Sequence, residues 1–288
     1  MAGSTTVSLN DLLPTIVQEA LFVANERSIM RGLVKNYTLA PAQGKTIQVP
    51  IYPVQTAASV TEGDEVTNTE VSTNVATFTV GQVGIRTLVT DMALNASASN
   101  VVADLGKLFG DAIAKKIDVD LMGQFANFTS NVIGSSSTTI TAALVMQGLT
   151  KLKNAGVPTD GLACVLHPSV AYDLKAALTN QGAVAFTGGA YGPVANQAMM
   201  DGYVGQLFGM SVFESANVPL ITSGSAGDYS GAIFHRDALG FGLMRDIQIE
   251  TQRRASYLGT DIVASAMYGV GTVYEGYGVF ASFDSTVL

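Results

Sequence analysis

The chain is poor in the side chains that most often carry chemistry. Among its 288 residues there are one cysteine, two histidines and no tryptophan. The single cysteine, Cys164, cannot form an intramolecular disulfide, which suits a reducing compartment. The cysteine and histidine positions match no zinc spacing, and the chain has neither a D-x-D-x-D-G calcium loop nor a glycine-rich phosphate-binding motif. The sequence therefore predicts no metal, no cofactor and no enzyme.

Cys164 and His167 form the one arrangement that could suggest a nucleophile and its base. The two residues lie three positions apart at the end of the apolar run GLACVLH, which is typical of a buried strand. Positions i and i+3 of a strand point to opposite faces, so these side chains cannot act together there. His235, in the run IFHRD, is interpreted as a hydrogen-bonded strand histidine.

Charged residues are also scarce, at 13% of the chain against 48% hydrophobic residues. Because so little polar material is available to cover a monomer, we expect a subunit that is buried among its own copies. A merely hydrophobic monomer is the alternative. The 15 lysines and arginines are scattered and the net charge is −8, which argues against sequence-reading nucleic-acid binding, because phosphate contacts need clustered cations.

Neither a membrane span nor a leader is expected. The longest charge-free tract in the first half of the chain, residues 121–150, is full of Ser, Thr, Asn and Gly. The N-terminal residues MAGSTTVSLNDLL lack a charged region followed by an apolar one, so the sequence predicts no signal peptide.

The most regular pattern predicts one long helix from about Asn95 to Asn127. Apolar residues recur at steps of three and four, which places them in one core-facing stripe: Val102, Leu105, Phe109, Ile113, Ile117, Leu121 and Phe125. On the opposite side charges of alternating sign predict a solvated face: Asp104, Lys107, Asp111, Lys115 and Asp118. A rod of about 40 Å would serve as a spine for the sheets.

Residues 45–91 predict a long two-stranded excursion. The runs KTIQVPIYPV and VATFTVGQVGIRTLVTD alternate like strands, and Pro50 and Pro53 restrict the first of them to a sheet edge or bulge. The connecting tip of some twenty residues contains or adjoins four acids: Glu62, Asp64, Glu65 and Glu70. Such a hairpin is marginal alone in water, so it must lie on something else.

No cation occurs between Lys45 and Arg86, so the tip is an acidic finger. Our hypothesis is that it extends over a neighbouring subunit and meets cations there, the candidates being Arg27, Arg31, Arg253 and Arg254. A solvated face is the alternative for the cations of residues 27–35.

The remaining segments interleave helices and strands without βαβ regularity, which favours an α+β fold. Helices are predicted in residues 10–21, in TAALVMQGLTKLKNAG and in HPSVAYDLKAAL, and GLACVLH is predicted as a strand between the last two. TSNVIGSSSTTIT is interpreted as a connector, residues 179–204 as an irregular glycine-rich loop, and most of the rest of the chain as strands.

In this order the parts resemble the major capsid proteins of tailed bacteriophages, which have the Hong Kong phage fold. The phrases that carry the resemblance are TIQVPIYPVQTAASVTEGDEV, VGIRTLVTDMAL, LHPSVAYDLKAAL and GAIFHRDALGFGL. The resemblance implies five parts, namely an N-terminal arm (1–45), an extended loop (46–80), a peripheral domain with the spine helix (81–134), an axial domain (135–240) and returning peripheral strands (241–288).

The resemblance further implies a subunit that forms pentamers and hexamers in the capsid of a virion, assembled in the host cytoplasm around double-stranded DNA without sequence specificity. A portal, and a separate scaffold or decoration protein, are the implied partners besides the subunit itself; since the chain starts at Met1 with the size of a mature subunit, we expect no scaffold within it. In some relatives an isopeptide bond from a lysine of the extended loop crosslinks neighbouring subunits. This chain has no lysine between Lys45 and Lys107, so we expect the contacts between its subunits to be non-covalent.

Three other readings stay open. An encapsulin-type nanocompartment resembles the same fold but encloses a cargo enzyme. An enzyme would need a pocket of convergent polar groups, for which the sequence offers no candidate. An apolar binding or adhesion module would stay small in solution.

Overall fold

The computed structural model describes residues 28–40, 44–57, 59–63, 65–66, 68, 70–92, 101–180, 203–221 and 228–287. Within them the predicted α+β mixture is confirmed as helices packed on two larger sheets and one small sheet. The predicted helix in residues 10–21 and most of the predicted loop 179–204 lie outside these residues. Among the described helices none is long and apolar enough to span a membrane.

The first large sheet has four strands in the order β1-β10-β11-β4, where β1 is Lys35–Thr38, β4 is Gly81–Thr90, β10 is Leu239–Arg254 and β11 is Gly259–Thr272. Strands β10 and β11 form its centre as one long antiparallel ribbon. The sequence suggested two separate runs within β10, but the structure has a single strand whose register shifts between Leu243 and Gln248. These irregularities let one strand continue through the polar residues Arg245 and Asp246.

The second large sheet has six strands in the order β5-β12-β9-β6-β8-β7. Its strands are β5 (Val132–Ser135), β6 (Leu162–Leu166), β7 (Tyr203–Leu207), β8 (Met210–Glu214), β9 (Asp228–His235) and β12 (Gly278–Asp284). The fully buried β6 confirms the prediction for GLACVLH. Two further predictions are confirmed by the helices on either side of it, Ala142–Asn154 and Pro168–Asn180.

Two segments of this sheet differ from the sequence-based expectation. The predicted connector contains β5, which pairs in parallel with β12 through Val132–Ser135. Strand β12, predicted to return to the peripheral part with the rest of 241–288, lies between β5 and β9 instead. The reason is its full antiparallel register with β9, from Gly278 opposite Phe234 to Asp284 opposite Asp228, which satisfies backbone groups that a buried strand cannot leave unpaired.

The long helix, α2 in a numbering that starts with the short α1 (Met30–Leu33), spans Val101–Gly123. The predicted core stripe is confirmed, since Phe109, Ile113, Ile117, Leu121 and Phe125 are all buried. The predicted end is wrong by four residues, because the last of them, Gln124–Asn127, form a 3-10 turn rather than α-helix. The expected start near residue 95 lies outside the described residues.

Asp118 contradicts the prediction of a fully solvated charged face. Asp118 is only 1% exposed, and Ser28 Oγ donates a hydrogen bond to Asp118 Oδ1 at 3.1 Å. Burial raises the pKa of this carboxyl, and hydrogen bonds from Ser28, Asn217 and the backbone of Ile29 and Met30 oppose the rise only in part. The helix therefore uses Asp118 to hold the chain segment that leads into α1.

We predict that Asp118→Asn changes the pH dependence of subunit stability. A carboxyl whose pKa is raised on folding binds its proton more tightly in the folded state, so wild-type stability falls as pH rises from the ordinary aspartate value, about 3.9, through the raised one. Asparagine keeps an acceptor for Ser28 but does not ionise. Urea unfolding between pH 4 and 7 should show the variant gaining on wild type as pH rises, and a relative loss would contradict the assignment.

Candidate inter-subunit surface

The predicted excursion begins in a small sheet of two antiparallel strands, β2 (Thr46–Ile51) and β3 (Asn74–Thr79). Within the described residues β2 pairs only with β3, so Pro50 lies on an edge strand, where its missing amide is tolerated. The predicted edge position of Pro50 is thus confirmed. The register, from Thr46 opposite Thr79 to Ile51 opposite Asn74, fixes how the loop leaves the subunit.

The root of the excursion is anchored where glycines leave room for it. A Cβ built on Gly271 would lie 2.5 Å from Phe78 Cβ, and one on Gly242 would lie 2.1 Å from Ile47 Cδ1. Phe78 and Ile47 are both buried here, and the Phe78 ring centroid lies 5.9 Å from that of Tyr37. The glycines of β10 and β11 therefore form a floor against which the side chains of Phe78 and Ile47 pack.

Beyond this root the loop of residues 52–73 is neither strand nor helix in its described part. Continuing the β2–β3 register places the reversal at residues 62–63, and a turn with a positive φ of 96° at Gly63 lies there. Large apolar side chains are exposed along the loop and at the start of β3: Tyr52 (67% exposed), Val54 (95%), Val60, Val66 (73%), Val71 and Val75. So many exposed large apolar side chains in one segment are typical of a contact surface.

The described acids of the loop have no ion-pair partner among the described residues of their own subunit. Glu62, Glu65 and Glu70 are exposed and form no ion pair with any residue that the structure describes. Asp64 lies outside the described residues. The described part of the loop therefore leaves both apolar and negatively charged groups exposed.

The four candidate cations are placed differently from one another. Arg27 lies outside the described residues, and the Arg31 guanidinium stands 5.5 Å from the centroid of the Phe241 ring. Arg253 forms a bidentate pair with Asp91, with Nη2 2.6 Å from Oδ2, and the pKa of Asp91 is lowered by it. The Arg254 Nε lies 2.6 Å from Asp261 Oδ2. Among the described residues, none of Arg31, Arg253 and Arg254 forms an ion pair with an acid of its own extended loop.

Asp261 is the buried carboxylate with which Arg254 forms its ion pair. This carboxylate is 2% exposed and, besides the ion pair with Arg254, accepts a hydrogen bond from Arg86 Nη2, which lies 2.9 Å from its Oδ2. The three residues come from β10, β11 and β4, so the ion pairs tie three neighbouring strands together. Arg253 and Arg254 accordingly serve their own subunit, and their contact with a neighbour's acids stays a prediction.

No catalytic arrangement is formed where the sequence came nearest to one. Cys164 is fully buried, and burial raises its pKa to about 12, so the thiolate nucleophile is absent at neutral pH. His167 stacks on Tyr229 with ring centroids 3.6 Å apart, and burial lowers its pKa. His235 Nδ1 accepts from the amide of Asp237 at 3.2 Å, which confirms the prediction of a hydrogen-bonded strand histidine. In the described part of the chain no group of three or more potential metal ligands occurs.

Comparison with protein families identifies the chain. A family model described as phage capsid protein matches residues 74–282, which is more than half of the sequence. The chain belongs to the phage capsid protein family. It is therefore a structural protein of the viral capsid and not an enzyme.

Solved structures support the same fold across nearly the whole chain. The capsid of the cyanophage P-SCSP1u matches with a TM-score of 0.71 and 16% identity, covering 91% of this chain and 89% of that one. A structure from Mycobacterium phage Che8 matches with a TM-score of 0.63 and 18% identity over 83% and 85%. The capsid of Ralstonia phage GP4 gives 0.65 and 14% over 88% and 87%. No curated protein sequence gives a significant match.

Two features of this surface were missed at the level of sequence. The glycine floor under Phe78 could have been predicted from the sequence, because glycines alternate in two strand-like runs at Gly240, Gly242, Gly269 and Gly271. The in-chain pairing of Arg253 with Asp91 has none, because the two residues are 162 positions apart and meet only through the register of β4 with β11.

We predict that Gly271→Ala lowers the free energy of unfolding of the subunit by about 1–3 kcal/mol. The added methyl would meet Phe78 at its Cβ, next to the backbone, where the ring cannot simply turn away. Gly32→Ala is the matched control, because a Cβ at this helical glycine meets nothing within 4 Å and should leave stability unchanged or raised. Urea unfolding measures both, and a Gly271→Ala subunit as stable as wild type would refute the anchor.

Proposed function

We propose that this capsid protein tiles a closed icosahedral shell as pentamers and hexamers, and that the shell encloses double-stranded DNA. The observation that carries the proposal is the extended loop, whose exposed apolar side chains and unpaired acids have no partner in the described part of their own subunit. A neighbouring copy, contacted head to tail around a ring, supplies the missing partner and lets the ring close.

The charge of the chain suits such a container. With a net charge of −8 the subunit holds DNA in place by enclosure and not by a strong general attraction to phosphate. Assembly takes place in the host cytoplasm, with a portal and a separate scaffold or decoration protein as further partners. The proposed parts are an N-terminal arm (1–45), an extended loop (46–80), a peripheral domain with the spine helix (81–134), an axial domain (135–240) and returning peripheral strands (241–288).

Sedimentation of the recombinant protein, with negative-stain microscopy of the fast fraction, tests the proposal. Closed shells or capsomer rings are the expected result, and a species that remains monomeric would contradict it. The contents of shells purified from infected or expressing cells decide between the two kinds of container. Packaged double-stranded DNA supports a phage head, whereas a protein cargo would favour the encapsulin-type alternative.

Reversing charge at the tip of the loop should block assembly. We predict that Glu62→Lys combined with Glu65→Lys greatly reduces the yield of shells, because both acids are exposed without a partner in the described residues of their own subunit. Asp160→Lys is the control, since Asp160 is equally exposed but lies outside the loop. Thermal melting should be the same for all three proteins. Shells formed normally by the double variant would rule out the pairing of the finger.

The shells should be held together without covalent bonds. Because no lysine occurs between Lys45 and Lys107, the loop cannot supply the amine of an isopeptide crosslink. Assembled protein boiled in SDS should run as a single band of monomer size on a gel. A ladder of covalent oligomers would show this expectation to be wrong.

A further inference from the structure

Several cations in the described residues are neutralised by carboxylates of their own subunit. Lys35 lies 3.1 Å from Asp237, Lys116 lies 2.6 Å from Asp120, and Arg86, Arg253 and Arg254 pair with carboxylates as described above. Arg236 differs from them. It is exposed, and it forms neither an ion pair nor a hydrogen bond with any residue that the structure describes.

Arg236 stands on a rigid support. It opens the 3-10 turn Arg236–Ala238 between β9 and β10. The carbonyl oxygen of Ala238 accepts hydrogen bonds from the amides of Val273 (2.8 Å) and Tyr274 (3.2 Å). Asp237 in the same turn is held by Lys35 and, through its amide, by His235. The backbone position of Arg236 is therefore fixed before any partner arrives.

Aromatic side chains surround this turn. The rings of Tyr274 and Tyr277 stack with centroids 4.8 Å apart, and both residues are half-buried. Nearby Glu275 is the acid that could compete for Arg236, but it accepts from Thr129 Oγ1 and from the amide and hydroxyl of Ser130. An unpaired arginine beside partly exposed tyrosines has the composition typical of the centre of a protein interface.

The other unpaired cations are less suited to that role. Lys45, Lys115 and Lys153 are exposed lysines with no ion pair among the described residues. Lysine is depleted in interfaces, whereas the planar guanidinium of arginine binds a carboxylate through two parallel hydrogen bonds. Arg236 is thus favoured over these lysines as the receptor for an acidic segment. Arg31 stands over the Phe241 ring and Arg245 donates to Ser265, whereas the side chain of Arg236 is exposed without a described contact.

The acidic finger of the same subunit is badly placed to reach Arg236. Tyr37, whose hydroxyl is close enough to act electrostatically on Lys35, also contacts Phe78 at the root of the loop, so Arg236 lies near this root. The tip at Glu62 follows β2 by 11 residues, which corresponds to about 35 Å if the arm is extended. A second copy can bring its own tip to this place.

We propose that Arg236, in the turn that packs against the turn Glu275–Tyr277, receives the acidic tip of the extended loop of a neighbouring copy, with Glu62 or Glu65 as its carboxylate partner. The inference rests on the proposed function, because it requires assembled copies. It replaces Arg253 and Arg254, which are engaged by Asp91 and Asp261, as the receiving cations. Four acids in residues 62–70 and no cation between Lys45 and Arg86 supply the complementary charge.

The test compares three single reversals in the full-length chain. Arg236→Glu should reduce the yield of shells about tenfold or more, because it faces the acids with like charge, while leaving the melting temperature of the unassembled subunit unchanged. Lys153→Glu, the control, should assemble like wild type. Arg253→Glu should lower the melting temperature, because it breaks the pair with Asp91.

A charge swap identifies the partner. Adding Glu62→Arg and Glu65→Arg to Arg236→Glu should restore shells, since the complementary charges then meet with exchanged signs. Shells formed normally by Arg236→Glu alone would overturn the inference and leave the proposed function intact. Loss of assembly that the swap does not restore would overturn the choice of the loop tip as occupant. A wild-type protein that stays monomeric would overturn the proposed function and the inference together.

Discussion

The structure depends on the burial of one apolar stripe along helix α2. Phe109, Ile113, Ile117, Leu121 and Phe125 belong to a core that also contains residues of both large sheets. Phe125 packs on Phe234 of the six-stranded sheet, with ring centroids 5.5 Å apart, and the same core includes Phe241 and Ile262 of the four-stranded sheet. The helix and the turn after it thus fix the two sheets relative to each other, because their apolar side chains are removed from water only where both sheets cover them.

With the sheets fixed, the small hairpin can be mounted on one of them without a core of its own. Its anchor is a fit between shapes, in which Phe78 and Ile47 occupy space that the glycines of β10 and β11 leave empty. Close packing makes such a root rigid, while the residues beyond it bury little of their surface. The subunit thereby carries a firmly anchored loop whose described outer residues stay exposed, and these are the residues that we propose contact a neighbouring copy.

Charged residues inside the subunit and charged residues at the loop tip are arranged differently. Inside the subunit, cations and carboxylates pair across strands, as Arg86 and Arg254 do with the buried Asp261. At the described tip of the loop the acids remain exposed. A charge that is paired within its own subunit stabilises that subunit and is already engaged. The unpaired charges are those available for recognition between copies.

The sequence was sufficient for elements whose pattern is local. The α2 stripe follows from a 3.6-residue period, the helix 142–154 from its apolar face and Gly156, and β6 from an unbroken apolar run, because in each case neighbours along the chain decide the conformation. The resemblance to phage capsid proteins was likewise readable from ordered phrases. The acidic finger could be located as well, since its charges and the absence of cations around it are properties of one segment.

What only the tertiary structure decided are pairings between distant residues. The sequence placed Asp118 on a solvated face by its spacing, yet Ser28, 90 positions away, covers it. It grouped β12 with the peripheral strands, although β9 and β5 bind its backbone. It also could not separate Arg253, which Asp91 neutralises, from Arg236, which has no such partner among the described residues. In each case the two partners are far apart in the sequence and meet only when the chain between them folds, so residue spacing along the chain does not predict the contact.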